Sequence, residues 1–256
     1  MLANFHSNIT LLITHYNRPH SLMRLLERLN ALNLSFAEII VSDDGSQAGN
    51  LKELYELQKE YNYKLLPAPE NKGLGNNINK GQDKVNTEFT LYLQEDFIPT
   101  PEFREVLMNS VELFQEDPEL DLIRYFSQVI YPYTKTYKKN FLQMYIPPFA
   151  MQYHKIHMYS DTPHLRRTSF FSKFGRYREN IPSDRMEYWM CVSFIQNKGK
   201  CLISTASNTL FLHVNFSEEP STINRVMWKQ KNNFLIRFLR NTYRQLKYNY
   251  DLNFAG

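Results

Sequence analysis

Two short apolar runs that end in paired carboxylates constrain this chain more than any other feature. Leu91-Tyr92-Leu93-Gln94-Glu95-Asp96-Phe97 closes a strand-like segment on two adjacent acids, and Glu38-Ile39-Ile40-Val41-Ser42-Asp43-Asp44-Gly45-Ser46 does the same before a glycine turn. Burying strands that finish in acids costs desolvation unless something positive meets the charge. Two such strands predict a parallel sheet whose carboxyl edge forms one acidic crevice, where open α/β sheets bind ligands. A divalent metal carrying a phosphorylated ligand is the natural occupant.

The rest of the first half agrees with that sheet. Strand-like segments at Ile9 to Thr14, Glu38 to Ser42, Tyr63 to Leu66, Phe89 to Gln94 and Leu122 to Phe126 alternate with helical patterns at 21–32, 51–61, 74–85 and 102–114. Leu22, Leu25, Leu26 and Leu29 fall at helical spacing in the first of these. Such alternation implies right-handed βαβ units on a parallel sheet. From Ser127 to Pro163 periodicity disappears and Tyr, Phe, Pro, Met and His take over. A loop that long in a compact domain is functional or disordered, and its aromatic content argues against disorder. Beyond it are expected a strand at Ser169 to Phe174, a helix from Ser183 to Gln196, and strands near Cys201 to Ile203 and Thr209 to His213.

At 256 residues and 43% hydrophobic content the chain can bury a full core as one α/β domain. A domain is expected over 1–222, with its two halves meeting near residue 126, and a basic appendage over 223–256. No run approaches membrane-span length and Met1 to Ser7 carries no signal-peptide pattern, so a cytoplasmic location is expected. Cys191 and Cys201 read as buried thiols rather than a disulfide or metal site. The net charge of +4 conceals an asymmetry: seven bases and no acid lie between Asn224 and Tyr250. Setting them aside turns 30 bases against 26 acids into an acidic excess, so the body lacks the basic face that nucleic acid requires.

Thr14-His15-Tyr16-Asn17-Arg18-Pro19 follows the first strand without the glycine-rich turn of a dinucleotide fold, and Lys72-Gly73-Leu74-Gly75-Asn76-Asn77 matches neither G-x-G-x-x-G nor a P-loop. Redox and ATPase readings lose ground. In their order and spacing, Thr14, Tyr16, Asn17, Arg18 and Pro19, then Asp43-Asp44-Gly45-Ser46, then Asn71-x-Gly73 with Asn79, then an acid pair after a strand, resemble the family 2 glycosyltransferases of the GT-A fold over roughly residues 8 to 215. The resemblance implies an inverting enzyme on a Rossmann-like, mostly parallel central sheet flanked by helices. It would move a sugar from a nucleotide-sugar donor to a saccharide or lipid-linked acceptor, in surface polysaccharide synthesis.

Carried over by position, Thr14, Tyr16, Asn17, Arg18, Asp43, Asp44, Asn71, Gly73 and Asn79 fall in the nucleotide site, with Asp44 reaching the base. Asx turns and helix caps explain Asp43 and Asp44 equally simply. Gln94-Glu95-Asp96 occupies the place of the family's D-x-D motif with Gln for the first acid. The resemblance makes Asp96 a ligand to Mg²⁺ or Mn²⁺, Glu95 a ribose or outer contact, and His213 the residue that completes the metal site.

The family's catalytic base is sought in Ser183-Asp184-Arg185-Met186-Glu187-Tyr188-Trp189, because inverting transfer needs a carboxylate to take the acceptor's proton. Asp184 matches the spacing to Trp189 better and Glu187 is the second choice; a capping box between them is the plain alternative, worth about 1 kcal/mol. Arg166 and Arg167 are candidates for phosphate or an anionic acceptor, with solvated surface arginines as the alternative. Tyr131, Tyr133, Tyr137, Phe141, Tyr145, Phe149, Tyr153 and Tyr159 suit sugar stacking or, for most of them, packing over the sheet. The segment from Met227 to Tyr250 interleaves bases with apolar residues. It fits contact with the inner face of an anionic membrane, or a terminal helix packed on the body. Two other functions compete: a degenerate domain that binds nucleotide sugar or glycan without transfer, and a sugar-nucleotide nucleotidyltransferase, for which Thr14 to Pro19 lacks a triphosphate loop.

Overall fold

The computed structural model describes residues 8–148, 150, 153–214, 219 and 234–254, with only the backbone for 234–239. The chain opens with β1 (Ile9–His15), α1 (Pro19–Ala31), β2 (Glu38–Asp43), α2 (Ala48–Tyr61), β3 (Lys64–Pro67), α3 (Leu74–Gln82) and β4 (Phe89–Gln94). These match the expected alternation to within a few residues. It continues with β5 (Phe97–Pro99), α4 (Phe103–Glu116), β6 (Leu122–Arg124), β7 (Thr134–Thr136), β8 (Phe141–Met144), a 3-10 turn at Tyr153–His157, β9 (His164–Arg167) and α5 (Phe170–Phe174). The remaining described elements are α6 (Ser183–Gln196), β10 (Cys201–Ser204), β11 (Phe211–His213) and α7 (Phe234–Phe254).

Nine strands form one sheet in the order β3-β2-β1-β4-β9-β6-β10-β8-β7. The segment β3-β2-β1-β4 is parallel, β9 runs antiparallel between β4 and β6, and β10 is parallel to β6. The register pairs Thr14 with both Ser42 and Gln94, and His15 with Asp43, so the two acid-bearing segments leave the sheet at one level on either side of β1. β11 pairs with β5 in a separate two-stranded sheet, facing His213 across from Phe97.

Strand alternation divides the core between the two faces of the sheet. Ile9, Leu11 and Ile13 join Leu91, Leu93, the four leucines of α1 and Leu107, Val111 and Phe114 of α4 in one cluster. Leu12 and Tyr92 point the other way, toward Ile78 of α3 and Met186, Met190 and Phe194 of α6.

Three expectations are corrected. The segment expected as a strand over Ser169 to Phe174 is the short helix α5, in which Phe170 and Phe174 are both buried and stand one turn apart. The strand lies just before it and contains Arg166 and Arg167 themselves. Ser127 to Pro163 is not one loop, because β7 and β8 form a hairpin there and extend the sheet edge. Tyr131 and Tyr159 of this segment are buried whereas Tyr145 is exposed, and Phe149 lies outside the described residues.

The two thiols are free and buried, and burial pushes each up to about 12. Much of the basic appendage, 220–233, lies outside the described residues. Its described part, α7, packs against α6 and the 3-10 turn. Arg244 lies over Tyr153 and Lys247 over Tyr188, so these bases face the body, while Tyr243, Leu246, Tyr250 and Phe254 are exposed.

Candidate functional site

Each loop leaving the carboxyl edge of β1, β2 and β4 is fastened by its own side chains. Asn17, in the left-handed region at φ 56, accepts hydrogen bonds from the Gln47 backbone at 2.7 Å and from Asn50 at 3.0 Å, and its own N–H donates to Ser46 Oγ at 2.8 Å. His15 Nε2 accepts from the Arg18 N–H at 3.1 Å, which puts the ring proton on Nδ1, donated to Asp43 Oδ1 at 2.8 Å. Ser46 donates to both Asp43 oxygens, from its N–H at 2.9 Å and its hydroxyl at 2.5 Å. Against the cost of burial, these bonds hold the Asp43 carboxyl below its ordinary value. Asp43 therefore shapes the turn.

Asp44 joins this turn to the next one, accepting from the N–H groups of Lys72 and Gly73 at 2.9 Å each, while burial raises its carboxyl despite both bonds. Asn71 accepts from the same Gly73 N–H at 3.2 Å. The turn leaves no room for a side chain at Gly45, which has φ +75 and where a Cβ would sit 2.3 Å from the Glu70 carbonyl carbon. Gly45→Ala is expected to cost roughly 1–3 kcal/mol in urea unfolding through that strain. Thr14 Oγ1 lies 3.0 Å from the Tyr92 hydroxyl, and Tyr16 is half-buried beyond it.

The second acid pair is buried around an arginine. Arg18 Nη1 donates to Asp96 Oδ2 at 2.8 Å and to Glu95 Oε1 at 3.2 Å. His213 Nε2 stands 3.3 Å from Asp96 Oδ2, and its ring stacks on Phe97 at 4.7 Å. Burial and the neighbouring Asp96 charge push Glu95 up to about 7, with His15 and Arg18 opposing. Asp96 is held below its ordinary value, hydrogen bonds from His213 and Arg18 outweighing burial.

A second carboxyl pair adjoins the first. Gln94 Nε2 donates to the Asp161 carbonyl at 3.2 Å, and the buried Asp161 side chain is hydrogen-bonded to Glu187 of α6. Burial and the Glu187 charge hold the Asp161 carboxyl well above the carboxylate range. Asp184 is exposed in the first turn of α6, accepting from the Arg185 N–H at 2.9 Å, and Pro182 occupies the cap position. The capping box does not form.

The model of glycosyl transferase family 2 matches residues 10–175, more than half of the chain. The chain belongs to glycosyl transferase family 2. It is similar to poly-beta-1,6-N-acetyl-D-glucosamine synthase of Staphylococcus aureus, 25% identical over 115 residues that span 45% of this chain and 27% of that synthase. In fold it is similar to S. aureus TarS 1-349 in complex with UDP-GlcNAc, with a TM-score of 0.59 and 18% identity over 80% of this chain and 57% of that one. It is also similar to the mannosyltransferase PcManGT from Pyrobaculum calidifontis in complex with GDP-Man and Mn²⁺, with a TM-score of 0.52 and 11% identity over 78% of this chain and 57% of that one.

In this member of the family several residues expected in the site are engaged elsewhere. Both amide N–H groups of Asn79 are taken, by the Tyr177 carbonyl at 2.9 Å and Glu179 at 2.8 Å, so it anchors that loop to α3. Arg166 is fully buried, donating to Gln82 at 2.7 Å and to the Tyr177 hydroxyl at 3.3 Å with Phe171 and Phe170 beneath it. Arg167 donates to the carbonyls of Phe114, Leu120 and Asp117 around the end of α4, at 2.8, 3.0 and 3.3 Å. Both guanidinium groups are engaged within the fold.

Other contributors escaped the sequence reading. Lys80 donates to the carbonyls of Asp43 and Leu66 at 2.6 and 2.8 Å, and burial lowers its ammonium, while the charges of Asp43 and Asp44 oppose. Glu219 accepts from the first N–H groups of α1, at His20 and Ser21, both at 2.9 Å. Only Lys80 carried a signal, as a lone base on the helix after the glycine turn.

The acid pair fits a divalent ion in one respect. Asp96 Oδ1 is buried with no hydrogen-bond partner, an acceptor that a cation would satisfy. Among the described residues no cluster of three or more His, Cys, Asp or Glu could hold a metal. An ion at Asp96 and His213 would take its remaining oxygens from a bound diphosphate and water.

Proposed function

We propose that this glycosyltransferase works by inversion with metal assistance, moving a sugar from a nucleotide-sugar donor to a saccharide or lipid-linked acceptor. The observation that carries the proposal is the bridge through Gln94, which joins the acid pair at the end of β4 to the Asp161–Glu187 pair. Charge at a leaving diphosphate and proton removal from an acceptor are the two needs of the reaction. The two pairs answer them from opposite ends of one side chain.

The loops after β1, β2 and β3 hold the nucleoside, with Tyr16 and Asp44 toward the base and Asn17 and Gly73 keeping the loops in place. Asp96 and His213 would hold Mg²⁺ or Mn²⁺, which would supply charge neutralisation to the diphosphate when bound. Glu187 accepts the proton of the attacking hydroxyl as that oxygen bonds to the anomeric carbon. The bond from the anomeric carbon to the diphosphate oxygen breaks, and its electron pair leaves with the nucleotide. Asp161, buried against Glu187, orients that carboxyl.

A thermal-shift comparison of UDP, GDP, CDP and dTDP sugars, each with and without Mn²⁺, tests the donor half, since ligands that bind only the folded state raise stability by mass action. One nucleotide class should raise Tm in a metal-dependent way, and Asp96→Ala should remove the metal dependence. Stabilisation without metal, with neither hydrolysis nor transfer, would favour the domain that binds without transfer. Arg18 already sitting between Glu95 and Asp96 is the observation on that side.

A further inference from the structure

We propose that the acceptor cleft takes a saccharide bearing an anionic group, phosphate or carboxylate, and that α6 and the C-terminal helix supply its counter-cations. This rests on the acceptor reading above and narrows its substrate class. A cavity of ≈ 580 Å³ opens beside Glu187, between the start of α6 and α7. Arg185 and Arg244 line it together with Trp189 and Tyr248. The two helices that wall it lie outside residues 10–175, whereas Ile156 and His157 of its lining lie within them.

The charges in the cleft are unevenly matched. Lys247 is neutralised by Asp251 one turn on. Among the described residues, no carboxylate forms an ion pair with Arg185 or Arg244, and Arg244 instead rests 5.4 Å from the centre of the Tyr153 ring. Arg178 behaves alike in the adjoining cavity that shares Trp189, stacked 3.9 Å over that ring with no acid partner among the described residues. A guanidinium lying on an aromatic face keeps its in-plane N–H donors, which fit the two oxygens of a phosphate or carboxylate. Of the two acids in the cleft, Glu187 is engaged with Asp161, and Asp184 is exposed at the helix start. His157, also in the lining, is driven down to about 4 by burial and the charges of Arg124, His154 and Arg244, in keeping with a positive wall.

The test is calorimetric titration of the full chain with three tetrasaccharides of N-acetylglucosamine: neutral, with one phosphate monoester on the penultimate sugar, and with one uronic acid at that position. At least one charged ligand should bind about 10-fold more tightly than the neutral one, equivalent to about 1.4 kcal/mol, and the advantage should shrink with salt. The two charged arms decide between phosphate and carboxylate. Arg185→Gln and Arg244→Gln, singly and together, should lose the advantage while keeping the wild-type Tm; the single variants decide the matter if the double variant fails to fold. Equal binding of all three ligands, or an advantage retained in the single variants, overturns the proposal. Transfer to neutral and charged acceptors at equal rates would also overturn it while leaving glycosyl transfer standing. Tight anionic binding without transfer to any acceptor would keep the anion site and remove the transferase reading.

Discussion

Glu187→Gln is expected to lower kcat by roughly 10²–10⁴, the usual contribution of a positioned general base, with the Kd for donor unchanged. The amide keeps the shape and can still pair with Asp161, but it cannot take a proton. Asp184→Asn should change kcat by less than about 3-fold, as expected of an exposed residue away from the reacting atoms. This ranking inverts the one that spacing to Trp189 supports, and its physical basis is burial. Asp184 is exposed and accepts from the adjacent Arg185 N–H, whereas Glu187 is set against the buried Asp161 carboxyl. Asp161→Asn retains a donor toward Glu187 and should preserve most of kcat, while Asp161→Ala should lower kcat. Single-turnover transfer, with donor binding measured separately, checks the set. A Glu187→Gln enzyme with normal turnover and a slow Asp184→Asn enzyme would restore the spacing-based assignment.

Much of the acid-lined sheet edge is legible in the chain because the signals there are local. Ile39-Ile40-Val41 and Leu91-Tyr92-Leu93 are β-forming runs, each followed by two acids, and parallel pairing brings those acids to one level without long-range information. Pairings distant in sequence are invisible. Asp161 sits in a stretch without periodicity and gains its role from Glu187, Gln94 and burial together, none of which a single sequence displays. Arg166 misleads for a related reason. His164-Leu165-Arg166-Arg167 carries too much charge to read as a central strand, yet β9 is one, because Arg166 is covered by aromatic faces and Gln82 while Arg167 reaches the end of α4. Phe170-Phe171 favours a strand by aromatic content, but burying Phe170 and Phe174 on one side selects a helical turn. At Gln94 the departure from an acid looks like a lost ligand; in the fold its amide is the link to Asp161.

Arg18→Met is expected to destabilise the protein by about 3–5 kcal/mol at neutral pH, the usual result of removing one partner from a buried ion pair. Methionine approximates the volume, so the loss isolates charge from packing. The pH dependence separates the two further. Glu95 is raised from its ordinary 4.5 to about 7, so between those values the folded protein holds a proton that the unfolded chain has released, and stability attributable to Glu95 falls as pH rises through that window. Without Arg18 the folded value moves higher still, because an opposing charge is gone. The deficit of Arg18→Met should therefore be largest near about pH 8 and shrink toward about pH 5.5, where Glu95 is protonated in the variant. Asp96 stays ionised across that range, since its folded value lies below the ordinary 3.8. Mn²⁺ should restore part of the loss by supplying the missing positive charge at Asp96, whose Oδ1 has no partner. Urea unfolding at the two pH values, with and without Mn²⁺, gives four free energies. A deficit independent of both pH and metal would mean that Arg18 is held by packing alone and that the acid pair is not a cation site.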